Sequence, residues 1–134
     1  FATPLVFSVH SVVSWDFAMS IVPGWHTTIF GPYFVAGAIF SGCAMVMTLV
    51  IPTRTIFRLE KYITHDHMES LAKLTLFTGL IVTYSYAVEY LVAGIGNNMF
   101  EKAMMSITDG YRLHGPYQPW VLIMIFCNCI APLP

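Results

Sequence analysis

Four apolar stretches, separated by shorter polar segments, divide the sequence. They cover residues 4–22, 32–51, 67–93 and 119–134, and the sequence stops within the last of them. The second stretch contains no Asp, Glu, Lys, Arg or His. An α-helix of about 20 residues extends about 30 Å, which is the thickness of the hydrocarbon core of a bilayer. The pattern therefore predicts an all-α, polytopic transmembrane helix bundle of about four helices.

Proline, glycine and capping residues mark the ends of these predicted helices. Pro23-Gly24 is expected to break the first helix, and Pro52 is expected to end the second because proline cannot continue the hydrogen-bond ladder. Asp66 and Glu69 have the spacing of a capping box that opens the third helix. Residues 98–109 are suited to a short amphipathic surface helix. Residues 1–134 are thus predicted to be a single membrane-embedded unit.

The composition excludes an ordinary soluble domain. Charged residues make up 10% of the chain and hydrophobic residues 57%, and the mean hydropathy is +0.69. A typical globular protein has roughly 25% charged residues, so these few charges cannot cover a water-facing surface. The net charge of −1 excludes a nucleic-acid binder that acts through basic patches. The three cysteines form no CxxC pair or zinc pattern and are expected to be buried, inert thiols.

The distribution of Lys and Arg predicts an orientation. Residues 52–68 contain Arg54, Arg58 and Lys61, whereas residues 23–31 contain no Lys or Arg. The positive-inside rule therefore places the 52–68 loop in the cytoplasm and the 94–118 loop on the opposite side.

The sequence begins with Phe, without the basic start of a signal peptide, and stops in or just beyond an apolar stretch. It is expected to be an internal fragment of a longer polytopic protein.

Asp16 is the main candidate for chemistry in the first apolar stretch, where it is the only carboxylate before Glu60. A carboxylate within a membrane span costs about 2.5–3.5 kcal/mol to insert, so a functional role is the default interpretation. The alternative is that Asp16 simply reaches the membrane interface. His10 lies about 120° from it around the helix, so the two side chains can flank one cavity. His10 can also be a structural partner between helices. Ser14 lies on the His10 side and is included among the predicted ligand contacts, although serines in spans commonly bond their own backbone.

Glu89 is the second candidate, near the end of the third stretch. Tyr86 and Tyr90 lie on the same side of the predicted helix. One interpretation is an aromatic belt at the membrane surface, and the other is a proton relay through Tyr86 and Glu89.

Bis-imidazole haem requires two histidines at membrane depth, and only His10 qualifies. The fragment is therefore predicted to bind neither haem nor metal, since His65 and His67 alone are a weak metal pattern.

Several motifs resemble the large quinol-site membrane subunits of alternative complex III, in the NrfD or polysulfide-reductase-C superfamily. The resemblance extends over nearly the whole chain, and its first block is the most specific. It is carried by Ser8–Ala18, Pro23–His26 and Phe30–Gly42, then by Thr83–Tyr86 with Glu89, Gly115–Tyr117 and Cys127–Asn128.

The resemblance implies a role in respiratory electron transfer in a bacterial inner membrane. The chain would be a multi-pass subunit, inactive alone, that binds and oxidises menaquinol or ubiquinol and releases the protons. Its electrons would pass to an iron–sulfur subunit and multihaem cytochrome c subunits, beside other membrane subunits. The resemblance carries site roles to Asp16 and His10 as the catalytic pair.

Two other classes of function remain open. In a proton- or ion-translocating transporter subunit without quinone chemistry, Asp16 and Glu89 would line a pathway. Transporters often have helices broken at the midplane, whereas Pro23-Gly24 lies at the end of a predicted span. A passive anchor for a redox partner would leave the cost of burying Asp16 unexplained. Binding of a quinone analogue would separate these hypotheses.

Overall fold

The computed structural model describes residues 2–22, 26–108 and 110–132, and every regular element within them is helical. The elements are α1 (Ala2–Ala18), α2 (Phe30–Ile56), α3 (His65–Ile95), α4 (Met99–Met105), α5 (Tyr111–His114), α6 (Gln118–Ile125) and a π-helical turn (Phe126–Ile130). Among the described helices, α2 and α3 are long and apolar enough to cross a membrane, while α1 has 17 residues. The all-helical class is confirmed, and the number of membrane crossings stays a prediction.

Aromatic side chains and one glycine join α1 to α2. The ring centroid of Phe17 lies 6.2 Å from those of both Phe30 and Phe34. A Cβ added to Gly31 would come within 3.2 Å of Nε1 of Trp15, so a glycine at this position lets the two helices approach closely. This contact fixes the face that α1 turns toward α2.

The buried core lies between α2 and α3. Ala36, Val82 and Tyr86 form its centre. At Gly79 an added Cβ would lie 3.2 Å from a ring carbon of Phe40, so the two helices are in close contact there as well. The π-helical turn packs on α3, and Met124 and Cys129 extend the core from this side.

Pro52 does not end α2, which continues to Ile56. Proline removes the backbone donor that would have bonded to the Thr48 carbonyl, four residues earlier. Thr48 Oγ1 donates to the Met45 carbonyl at 2.8 Å, and Thr53 Oγ1 donates to the Leu49 carbonyl at 2.7 Å. The helix continues through Pro52 although neither hydroxyl replaces the missing bond. The expected break at Pro23-Gly24 lies outside the described residues.

The predicted capping box at Asp66 does not open α3. The helix begins earlier, at His65, with Thr64 as its N-cap, so Asp66 is already in the first turn. Thr64 Oγ1 is hydrogen-bonded to Nδ1 of His67 at 2.6 Å. Glu69 instead forms an ion pair with Lys73 at 2.7 Å.

The connection after α3 contains the short helix that the sequence predicted there. Asn98 caps α4 by accepting a hydrogen bond from the Phe100 backbone N–H at 3.1 Å. Glu101 on α4 lies 3.4 Å from Nε2 of His26, which links this helix to the α1–α2 connection.

The cysteines differ from expectation, because Cys127 is exposed and the other two are only partly buried.

Candidate functional site

Two adjoining cavities lie between the helices. The first, here called the His10 cavity, has a volume of about 400 Å³, and the second, the Glu89 cavity, about 300 Å³. The residues that line both are Tyr33, Phe34 and Tyr86. The two cavities therefore meet at a shared wall in the core, where α2 faces α3.

His10 lines the first cavity with a defined hydrogen bond. Its Nδ1 lies 2.8 Å from the backbone carbonyl of Val6. A carbonyl oxygen can only accept, so Nδ1 carries the proton, and Nε2 of the neutral ring is an acceptor. The imidazole also lies 6.2 Å from the ring centroid of Phe34. His10 is thus oriented by its own helix and keeps a basic nitrogen for another partner.

The shared wall contains a pair of tyrosines from different helices. The hydroxyls of Tyr33 and Tyr86 are 2.8 Å apart, and their rings meet edge to face at 5.3 Å. The Tyr86 hydroxyl also donates to Sδ of Met124 at 3.6 Å. A thioether is a weak acceptor, so a ligand oxygen would compete well for this proton. The pair forms a polar contact across an otherwise apolar core.

Glu89 and Arg112 line the second cavity together. Both side chains are partly buried, and no direct ion pair joins them in the part of the chain that the structure describes. Phe17 and Phe30 provide apolar walls beside them. The cavity therefore combines one acid and one base at its polar end with aromatic rings at the other.

Asp16 and Ser14 lie away from these cavities. Asp16 is exposed on α1 and lines neither of them. Ser14 is fully buried against α2, and its hydroxyl donates to the Ser11 carbonyl at 2.7 Å. The structure places His10 and Glu89 in adjoining cavities that share Tyr86 in their common wall, and it does not bring Asp16 or Ser14 there.

Three lining residues were missed by sequence analysis: Tyr33, Arg112 and Asn128. Arg112 had a usable signal, since it is one of two basic residues in the long connection after α3. Tyr33 and Asn128 are uncharged and gave no comparable signal. Within the described ranges, no group of three or more His, Cys, Asp and Glu side chains is arranged to hold a metal ion.

Comparison of the sequence with models of known protein families and with curated proteins finds no match. The function is therefore argued from the helices, the two cavities and the chemistry of the residues that line them.

Proposed function

We propose that this chain is the quinol-binding membrane subunit of a respiratory quinol:acceptor oxidoreductase of the alternative complex III type. The observation that carries the proposal is the pair of adjoining cavities, one lined by an imidazole and the other by a carboxylate, that share a wall containing two hydrogen-bonded tyrosines. Quinol binds in the His10 cavity, and its electrons pass to an iron–sulfur subunit of the complex. The resemblance noted in the sequence points to the same chemistry.

The exposed apolar surface supports a location in the membrane. In the most apolar 18-residue segment of α2 the mean hydropathy is 2.2, yet only 6% of that segment is buried inside the structure. The core helix of a soluble protein would be mostly buried, because water-exposed apolar surface of this size is unfavourable. Lipid and neighbouring helices of the complex cover this surface.

The size and lining of the His10 cavity suit an aromatic ring with polar ends. Small-molecule sites have volumes of about 300–1,000 Å³ and mostly apolar walls with a few polar groups. Here Phe34, Phe40 and Val82 provide apolar wall, while His10, Ser41 and Tyr86 provide hydrogen-bonding groups. A quinol ring with its two hydroxyls matches that combination.

Oxidation of quinol to quinone releases two electrons and two protons. His10 Nε2 accepts the two protons in turn, as a base within hydrogen-bond reach of its substrate, and it gives the first to the tyrosine pair before it accepts the second. The Tyr33–Tyr86 pair leads to the Glu89 cavity, where the Glu89 carboxylate takes the proton onward and Arg112 balances its charge. Both electrons go to the iron–sulfur partner, so the protons and electrons leave by different routes.

The orientation of the chain makes this route lead out of the cell. With the 52–68 loop in the cytoplasm, α3 runs from the cytoplasmic side toward the opposite side. Glu89 lies six residues before the end of α3 at Ile95, which is about 9 Å along the axis. Tyr86 lies one turn deeper. Protons handed from Tyr86 to Glu89 therefore move toward the non-cytoplasmic surface.

The test compares His10→Leu with Asp16→Asn in the full-length complex, with Ser8→Ala on α1 as the matched control. His10→Leu should lower quinol-dependent reduction of the acceptor at least about a hundredfold, because it removes the base. It should also weaken decylubiquinol binding, because a quinol hydroxyl can no longer donate to Nε2. Asp16→Asn should lower turnover at least about tenfold if its carboxylate handles protons, but should leave that binding unchanged because Asp16 lies outside the cavities.

Unchanged turnover in His10→Leu would remove the His10 cavity from the mechanism. Unchanged turnover in Asp16→Asn would remove Asp16 alone. Loss of assembly in the variants, measured by copurification of the partner subunits, distinguishes a folding defect from a catalytic one. Ser8→Ala should behave as wild type, since Ser8 is exposed and its hydroxyl bonds only the Pro4 carbonyl.

A proton-translocating subunit without quinone chemistry is the second candidate. The observation that favours it is the Glu89 cavity, where an acid and a base meet beside the tyrosine pair. Such a subunit would bind no decylubiquinone. In this hypothesis Glu89→Gln would abolish proton flux through the subunit. Saturable binding of decylubiquinone to the wild-type complex favours the quinol site instead.

A further inference from the structure

Asn128 reaches the His10 cavity from a π-helical turn. The backbone N–H of Ala131 bonds to the carbonyl of Phe126 at 2.9 Å, which spans five residues and widens the helix locally. Single π-turns inside helices occur frequently at functional sites, because they change the direction of a side chain. Here the turn follows an apolar helix and places one amide at the cavity wall.

The amide of Asn128 has unused hydrogen-bonding capacity. Its side chain lies beside the Tyr86 hydroxyl, and it is partly buried. An amide offers two N–H donors and two carbonyl lone pairs, so one phenol cannot occupy all of them. A polar ligand in the cavity can therefore bond to an amide group that the phenol leaves free.

Asn128 and His10 approach the cavity from different helices. Helix α1 packs on α2, and the π-helical turn packs on α3. The backbones of α1 and of that turn are not in contact in the described residues, and both side chains line the same cavity. His10 offers a basic nitrogen and Asn128 an amide N–H, which are complementary to a hydroxyl and a second oxygen on one ring.

We propose that Asn128 is a ligand-binding residue that donates an amide N–H to one ring oxygen, while His10 Nε2 bonds to the oxygen on the other side of the ring. This inference rests on the proposed function and narrows its substrate class. The cavity would select rings that carry two opposed oxygen substituents over rings that carry one. Tyr86, held by Tyr33 and beside Asn128, keeps the amide oriented.

The experiment measures binding of two probes to the full-length complex. Decylubiquinol has a hydroxyl at each end of its ring, so one hydroxyl can donate to His10 Nε2 while the oxygen of the other accepts from Asn128. In contrast, para-decylphenol has one hydroxyl, which can donate to His10 Nε2. Asn128→Leu and Asn128→Ala both lack the amide donor. Each should weaken decylubiquinol binding about tenfold and leave para-decylphenol binding within about twofold of wild type. Cys127→Ala, at an exposed position of the same turn outside the cavity, is the matched control.

Each outcome separates this inference from the function on which it rests. If the wild-type complex binds no decylubiquinol, the proposed function fails and this inference fails with it. If the wild type binds the quinol but the Asn128 variants weaken neither probe, or weaken both alike, Asn128 is not a ligand contact although the quinol site stands. Selective loss of the two-oxygen probe in either Asn128 variant supports the inference.

Discussion

The hydroxyl of Tyr86 has more polar neighbours than it can donate a hydrogen bond to. It is hydrogen-bonded to Tyr33 at 2.8 Å, it lies 3.6 Å from Sδ of Met124, and the amide of Asn128 lies beside it. One phenol can donate one hydrogen bond and accept others. If the Tyr86 hydroxyl accepts a proton from one neighbour and donates its own to another, a proton passes from the His10 cavity to the Glu89 cavity. This transfer requires no movement of either helix.

Tyr86→Phe removes this connection while keeping the ring that packs in the core. In the full-length complex it should lower quinol turnover about tenfold or more, because proton transfer by positioned groups has effects of this size or larger. Decylubiquinone binding should change less. Tyr84→Phe on the same helix is the control, since Tyr84 is 65% exposed. Equal turnover in the two variants would show that the tyrosine pair carries no protons.

At the residue scale, the sequence located His10, Tyr86 and Glu89 but missed Arg112 and the uncharged partners Tyr33 and Asn128. His10 and Glu89 were found because ionisable side chains are costly in apolar stretches. Tyr33 and Asn128 belong to the same site only because α2, α3 and the last helix pack together. That packing depends on contacts distant in sequence, so no local pattern revealed them. Asp16 satisfied the same cost argument as His10, yet it lies outside the cavities.

At the scale of elements, the predicted helices exist but their ends differ. Apolar length predicted α2 and α3 well, because an apolar run of this length is typical of a helix and too long for a strand. The end of α2 was missed because one proline removes only one backbone hydrogen bond, and the helix continues past Pro52 to Ile56. The π-helical turn was also missed, since its spacing is set by packing on α3.

The close contact of α2 with α3 predicts a strong effect of side-chain size at Gly79. Gly79→Leu should lower the thermal midpoint of the detergent-solubilised protein, because the added atoms meet Phe40 and Pro132. Overpacking of this kind costs about 1–3 kcal/mol. Gly94→Leu is the matched control on α3, as an added Cβ there meets nothing within 4 Å. Equal midpoints for the two variants would contradict the helix contact described here.

At the scale of the whole molecule, apolar exposure and charge distribution predict how the chain sits in a bilayer. Large apolar side chains are exposed on α1, α2, α3 and the last helix. The basic residues Arg54, Arg58 and Lys61 lie at or beyond the end of α2, in or near the connection to α3. The two cavities lie toward the other ends of α2 and α3, where Tyr33 and Glu89 are found.

Cysteine labelling tests this orientation. In a variant whose three native cysteines are Ala, Lys61→Cys should react with a membrane-impermeant maleimide only in inside-out vesicles. Lys102→Cys on α4 should react only in right-side-out vesicles, because α4 follows α3 on the non-cytoplasmic side. Both positions are exposed. Labelling of both from the same side, or in the reverse order, would overturn the proposed direction of proton release.

The most direct measurement is photolabelling of the full-length complex with an azido-quinone, followed by mapping of the labelled peptides. The account predicts that label attaches to residues of the His10 cavity on α2, on α3 and in the π-helical turn, and that excess decylubiquinone prevents it. His10→Leu should reduce the same labelling. Label that is confined to other parts of the complex, or that decylubiquinone does not displace, would contradict a quinol site between these helices.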